Sequence, residues 1–123
     1  MTWCAPRSAT YIVVSFAYAL PGAGLHELLE DVSTSVMGHL QTNPDGPIPT
    51  GEFSYATAQW GGAAVAMHVW NVNNHQVTWG VLNAAIKALE EYYRGVEWGA
   101  VTFGIWDGLN EVGMGAVGLQ PTI

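Results

Sequence analysis

Residues 63–94, AAVAMHVWNVNNHQVTWGVLNAAIKALEEYYR, change their hydrophobic period partway along. At the start, Val65, Met67 and Val69 alternate with Ala64, Ala66, His68 and Trp70, the period of two that a strand imposes. From about Thr78 to Arg94 the apolar positions are Val81, Leu82, Ala85, Ile86, Leu89, Tyr92 and Tyr93. Those steps of three and four mark one face of a helix. Thr78 is the expected N-cap and Gly95 the expected C′ residue. A strand, a polar loop and a helix make most of a βαβ unit, so the flanking segments decide the fold.

Upstream, Gly61-Gly62 suits a tight hairpin joining strands Phe53–Trp60 and Ala63–Val72. Residues 41–51, QTNPDGPIPTG, read as a stiff loop. Before it, Leu25, Leu28, Leu29, Val32, Val36, Met37 and Leu40 form a helical stripe, with Glu27, Glu30 and Asp31 early in that helix. Tyr11–Leu20 reads as a strand stopped by Pro21, Gly22 and Gly24. Downstream, Trp98–Trp106 is a strand, Asp107-Gly108 a turn, and Glu111–Leu119 a glycine-rich fifth strand or tail. The order β-α-β, β-α-β plus a C-terminal strand predicts one α+β domain over residues 1–123. The expected architecture is a ferredoxin-like βαββαβ sandwich, an antiparallel sheet with two helices on one face.

Composition narrows the function. Charged residues are 11% of the 123, against roughly 25% in ordinary soluble domains. Arg7, Lys87 and Arg94 are the only cations, and the net charge is −7. Three cations cannot neutralise a run of phosphates, so nucleic acid is excluded as a partner, and anionic membrane surfaces are disfavoured. Cys4, in an N-terminus that reads as floppy, is the only cysteine. No internal disulfide and no cysteine-based zinc site can form. The run YIVVSFAYAL after Arg7, with AYA at 17–19, imitates a targeting signal but reads better as a strand, and it is too short to span a bilayer. Localisation stays open between a slightly favoured cytoplasm and secretion.

Sorting alternate residues exposes the main anomaly. In the first strand Ile12, Val14, Phe16, Tyr18 and Leu20 belong under the helices, leaving Tyr11, Val13, Ser15, Ala17 and Ala19 outside. The same sorting leaves Ala64, Ala66, His68 and Trp70 outside on the third strand, and Ala100, Thr102, Gly104 and Trp106 on the fourth. A solvated sheet face normally carries charge or Thr; this one is small, uncharged and edged by tryptophan. Such a patch marks an interaction surface. Tyr11, Val13, Ala17, Ala66, His68, Trp70, Thr102, Gly104 and Trp106 are therefore the candidate ligand or interface residues. A second copy of the chain is the most economical cover; the alternative is that the fifth strand or the N-terminus folds back over the face. The glycine-rich VGMGAVG segment could also pair with a neighbour's sheet edge.

Motifs for chemistry are sparse. His26, His39, His68 and His75 show no HxH or HxxxH spacing, and no G-x-S-x-G or P-loop is present. No metal and no cofactor are expected. Glu90-Glu91 reads as a solvated helix face, and Glu97 and Asp107 merely bracket a strand. The stretch NVNNHQ (71–76) is good turn chemistry, since Asn tolerates left-handed backbone. It also ends at a helix N-terminus and contains His75, which exchanges protons near neutral pH.

The βαβ-βαβ pattern resembles that of the dimeric α+β-barrel superfamily, in which ferredoxin-like subunits join and some members oxygenate or rearrange aromatic compounds. That resemblance implies a cofactor-independent small-molecule enzyme acting on a neutral or aromatic ligand, with His75 as proton acceptor and Asn71 and Trp70 orienting substrate. The first strand has no asparagine, unlike some members. A third reading is a secreted effector or glycan binder using Trp60, Trp70, Trp79, Trp98 and Trp106. The favoured reading is a non-enzymatic self-associating or protein-interaction module.

Overall fold

The computed structural model describes residues 2–5, 8–20, 22–60, 63–96 and 98–121. Pro21, the Gly61-Gly62 turn, Arg7 and Glu97 lie outside them, as do the side chains of Trp60 and Ala64. The elements run β1 (Thr2–Cys4), β2 (Thr10–Ala19), α1 (Gly22–Thr42), a 3-10 turn (Pro49–Gly51), β3 (Glu52–Trp60), β4 (Ala63–Asn71), α2 (Trp79–Gly95), β5 (Gly99–Asp107) and β6 (Asn110–Pro121). Among the described residues, six strands form one open sheet in the order β1-β2-β5-β6-β4-β3, every neighbouring pair antiparallel. The fold is α+β with two helices.

The strand order departs from the ferredoxin-like one, which would put β2 beside β4. Instead, the crossover from β4 through α2 to β5 leaves a slot one strand wide, and β6 fills it. Gly108, at φ +64°, makes the tight return from Asp107 to Asn110 that turns β6 back along β5. Paired with β5 over residues 110–117 and with β4 over 113–121, β6 lies inside the sheet and is not a tail. Its residues 113–117, the middle of VGMGAVG, are paired on both sides and offer a neighbour no free edge. Cys4, read as lying in a floppy end, belongs to a strand: β1 extends the sheet at the β2 edge.

Close packing explains why β6 is rich in glycine. A Cβ on Gly115 would stand 2.6–2.8 Å from carbons of the Phe103 ring, which lies across it from β5. Phe103 is 2% exposed, so the ring fills the space that a side chain at 115 would take.

The core is one cluster between the helices and the sheet. It combines Leu25, Leu28, Leu29, Val32 and Val36 of α1 with Leu82, Ala85, Ile86, Leu89, Tyr92 and Tyr93 of α2. These pack on Ile12, Val14, Val65, Met67, Val69, Val101, Phe103 and Ile105 of the sheet. Each fully buried aliphatic side chain contributes about 1.5–3 kcal/mol relative to exposure. Met37, read as part of the α1 stripe, is exposed. The Tyr93 hydroxyl donates to the Gly99 carbonyl at 2.7 Å. Burial first, and then the neighbouring Tyr92, push its phenol well above the usual tyrosine range.

The helix ends depart from the simplest reading. β2 ends at Ala19, ahead of the expected breakers, but Gly22 and Gly24 do not form a loop; they lie inside the first turns of α1, which starts before Leu25. A Cβ on Gly22 would meet the Trp98 indole at 2.8–3.0 Å, so glycine lets the helix start against that ring. The earlier start leaves no acid in the first turn of α1, so Glu27 and its neighbours do not sit at the positive helix end. In α2, Thr78 is the N-cap, its Oγ1 accepting from the Val81 N–H at 3.2 Å. Gly95 is the last helical residue; Val96 is the C-cap, and its N–H donates to the Tyr92 carbonyl at 2.9 Å. A second cap comes from far away. The Asp45 carboxylate, in the loop after α1, accepts from the Gly80 N–H at 2.9 Å, where the helix dipole favours negative charge.

Candidate functional site

Antiparallel pairing puts directly opposed residues on the same face, so the register spells out the helix-free side row by row. One row is Cys4, Tyr11, Trp106 and Glu111. The next is Thr2, Val13, Gly104, Met114, Trp70 and Glu52. The third is Ser15, Thr102, Ala116, His68 and Ser54. In the fourth, Tyr18 opposes Ala100 on one side of the sheet, while Gly118, Ala66 and Ala56 oppose one another on the other.

Tyr18 arrives there by a bulge. The β2–β5 register shifts between Phe16 and Tyr18, so the alternation read from the sequence reverses beyond Phe16. Tyr18 leaves the helix face and lies across β5, its hydroxyl oxygen accepting from the Leu119 N–H at 3.3 Å. Phe16 keeps its side, since it opposes Val101, but it lies beyond the cover of the helices and is 44% exposed. Ala17 is the extra residue of the bulge and borders the same trough as Tyr18.

Most of the candidate face residues are thereby brought together. Tyr11 stacks parallel on Trp106 at 5.9 Å, and His68 meets Trp70 edge-on at 5.4 Å. Val13, Ala66, Thr102 and Gly104 lie between these aromatic pairs. The face includes a shallow trough of about 290 Å³ with Ala66, Ala100, Ala116 and Gly118 along its base and Tyr18 and His68 at its sides. β6 contributes the centre of the face through Met114, Ala116 and Gly118, and β3 its rim through Glu52 and Ser54. The sequence reading placed none of these five there, although the alternation of Met114, Ala116 and Gly118 was visible once the segment is taken as a strand.

Charge is sorted across the molecule. Lys87 and Arg94 are both on α2, and the rows above contain no cation. Of their carboxylates, Glu52 is at the rim on β3, whereas Glu111 reaches inward over the face. Glu52 lies 3.5 Å from His68 Nε2, and Glu111 stands over Gly104, beside Trp106. Neither β1 nor β6 folds over the face, since both are strands of the sheet itself.

Of the residues named for catalysis, Asn71 and His75 border one open hollow of about 490 Å³ on the β4–α2 loop, but Trp70 is not with them. Trp70 is on the helix-free face, whereas Asn71 opposes Gly113 and belongs to the other side. The Asn71 side-chain oxygen is occupied, accepting from the Val77 N–H at 2.8 Å. Asn73 and Asn74 both take left-handed backbone, at φ 55° and 59°, and Asn73 donates to the Glu111 carbonyl at 3.2 Å. His75 is exposed, and its N–H closes the turn on the Val72 carbonyl at 3.0 Å. The NVNNHQ stretch thus shapes the passage from β4 to α2. His39 is also accounted for by packing, stacked on Trp79 at 4.0 Å. Among the described residues, no three His, Cys, Asp or Glu side chains are gathered as a metal ion would require. No described helix is long and apolar enough to cross a membrane.

Compared with family models, with characterised proteins and with solved structures, the chain has no match.

Proposed function

We propose that the chain is a self-associating module that pairs with a second copy of itself through the helix-free face of its sheet. The observation that carries this reading is a face five long strands wide, built largely of small and aromatic side chains and, among the described residues, without Lys or Arg. With strands about 4.8 Å apart and eight residues rising about 3.3 Å each, it covers roughly 600 Å². Two copies would bury roughly 1,200 Å², the lower bound for a specific, stable interface.

Charge selects the copy over an unrelated partner. Among the described residues the face has no Lys or Arg to match an acidic surface, and only two carboxylates, Glu52 and Glu111, to match a basic one. Its own largely uncharged surface is the match, and a twofold axis presents the same patch from both copies. Small side chains at Ala66, Ala116 and Gly118 let a second sheet approach at the usual packing distance of about 10 Å. Closure of two such faces is also the assembly seen in the dimeric α+β barrels, whose element pattern this chain resembles despite its own strand order. A small-molecule activity on that platform has one feature in its favour: the trough between Tyr18 and His68, which a second copy would roof.

Sedimentation equilibrium and light scattering over a wide concentration range test the proposal. The expected result is a species of twice the 13.2 kDa chain mass. A monomer persisting at roughly 1 mM, where even a weak association of about 4 kcal/mol would register, overturns it.

A further inference from the structure

Closing the helix-free face on a second copy would enclose a histidine together with a carboxylate. His68 stands on β4 in the third row of the face, and its Nε2 lies 3.5 Å from Glu52 Oε1 on β3. Both side chains are open in the single chain, at 48% and 60% exposure. We propose that self-association is coupled to protonation of His68, so that two copies pair more tightly as pH falls from about 8 to about 5.5. This coupling rests on the sheet-face pairing proposed above and adds its regulation.

The charges around His68 are few. Among the described residues the face has two carboxylates, Glu52 and Glu111, neither Lys nor Arg, and one imidazole. From β3, Glu52 and Ser54 stand beside His68, and from β6 Ala116 opposes it. Trp70, on the same strand, meets it edge-on at 5.4 Å. Thr102 of β5 and Ser15 of β2 share its row, and the phenols of Tyr18 and Tyr55 border the hollows on either side of it. Glu111 stands two rows along, on β6. Glu52 is therefore the one charge in contact with His68, and His68 is the one group on the face that gains positive charge near neutral pH.

Two effects of closure oppose each other. Loss of water disfavours an imidazolium, whereas a carboxylate at contact distance favours it. The carboxylate prevails here, because pairing dehydrates Glu52 in either case. Beside a neutral imidazole Glu52 enters the interface as a lone charge; beside an imidazolium it enters as an ion pair with a charge-assisted hydrogen bond. An uncompensated charge is the costlier of the two to bury. The second copy's carboxylates act in the same direction, since its face brings neither Lys nor Arg to meet them. The associated chain thus holds the His68 proton more tightly than the single chain does. By linkage, the extra affinity is fully present below the titration of the single chain's imidazole and is lost as pH rises through that of the associated form. Proton binding strengthened about tenfold at each His68 tightens Kd by up to about a hundredfold across the window.

The test is sedimentation equilibrium of the full chain between about pH 8 and 5.5, at a constant ionic strength of about 0.15 M. Kd should fall at least about tenfold on acidification. His68→Gln, which stays neutral, should remove that slope. His26→Gln is the matched control. It removes a similar pair, His26 with Glu30 at 3.3 Å, from α1, so it should keep the parent's slope despite the same loss of titrating charge. Glu52→Gln should tighten association at pH 8 and abolish the gain on acidification. A second readout needs no variant: the ¹H NMR titration midpoint of the His68 Cε1 proton should be higher in concentrated, associated samples than in dilute ones. A Kd independent of pH, a His68→Gln chain with the parent's slope, or a midpoint unmoved by association overturns the coupling and leaves sheet-face pairing standing. A chain that is monomeric at every pH overturns both.

Discussion

Placing one positive charge at the centre of the helix-free face should abolish self-association while leaving the fold intact. Thr102 is the suitable position. It is exposed, it opposes Ser15 and Ala116, and its row contains no carboxylate. In the single chain, Thr102→Lys points into water, so its stability should change by no more than about 0.5 kcal/mol. In a closed pair, symmetry brings two ammonium groups into the interface. The full penalty for burying an ion is several kcal/mol, but the lysine stem lets the charge reach towards the margin. Taking about 2 kcal/mol per ion gives about 4 kcal/mol per dimer, close to a thousandfold in Kd. Sedimentation equilibrium measures the loss, and thermal melting followed by circular dichroism verifies the fold. Ser35→Lys, on the exposed side of α1, is the matched control and should associate as the parent chain does. Equal association by Thr102→Lys and the parent, or equal weakening by Ser35→Lys, would refute the reasoning.

Three further outcomes follow from the geometry. Asp45→Ala removes the distant cap on Gly80 and should lower the melting free energy by about 1 kcal/mol, measured by urea unfolding, with no effect on association. Gly115→Ala drives a methyl group against the Phe103 ring and should cost about 1–3 kcal/mol in the same assay. Tyr93 gives an alkaline signature. Its folded phenol is held above the ordinary value of 10.0, so above that pH the unfolded chain releases a proton that the folded chain keeps. Stability is then fully present below about pH 10 and should fall by about 1.4 kcal/mol per pH unit above it. Tyr93→Phe should flatten that alkaline limb, at a cost of about 1 kcal/mol at neutral pH for the lost bond to Gly99. A parent chain whose stability stays level from pH 9 to about 11.5 would contradict the burial argument.

The sequence by itself determined the elements, because their signals are local. The period switch between Val69 and Val81 separates β4 from α2, Thr78 caps α2, and Asn73 and Asn74 supply the left-handed turn between them. Those interactions span at most a few residues. It also determined that a small, cation-free sheet face would be left over, since alternation alone sorts Thr102 and Gly104 from Val101 and Phe103. What the tertiary structure decided was long-range. Whether β6 lies in the slot between β5 and β4 or at an edge depends above all on pairing with β4, 42–52 positions away from VGMGAVG, not on anything within that segment. The bulge after Phe16 reverses the face of Tyr18 because β2 must keep its register with β5 on both sides of it. Gly22 reads as a breaker until the Trp98 ring is seen to occupy the space of its missing side chain. Likewise Asp45 reads only as part of a stiff loop, and Glu90 as part of a solvated helix face; packing gave Asp45 a helix end to cap and screened one Glu90 oxygen from solvent. Periodicity and turn chemistry are written in neighbouring residues, whereas strand order, bulges and buried acceptors are set by partners the chain meets only after it has closed on itself.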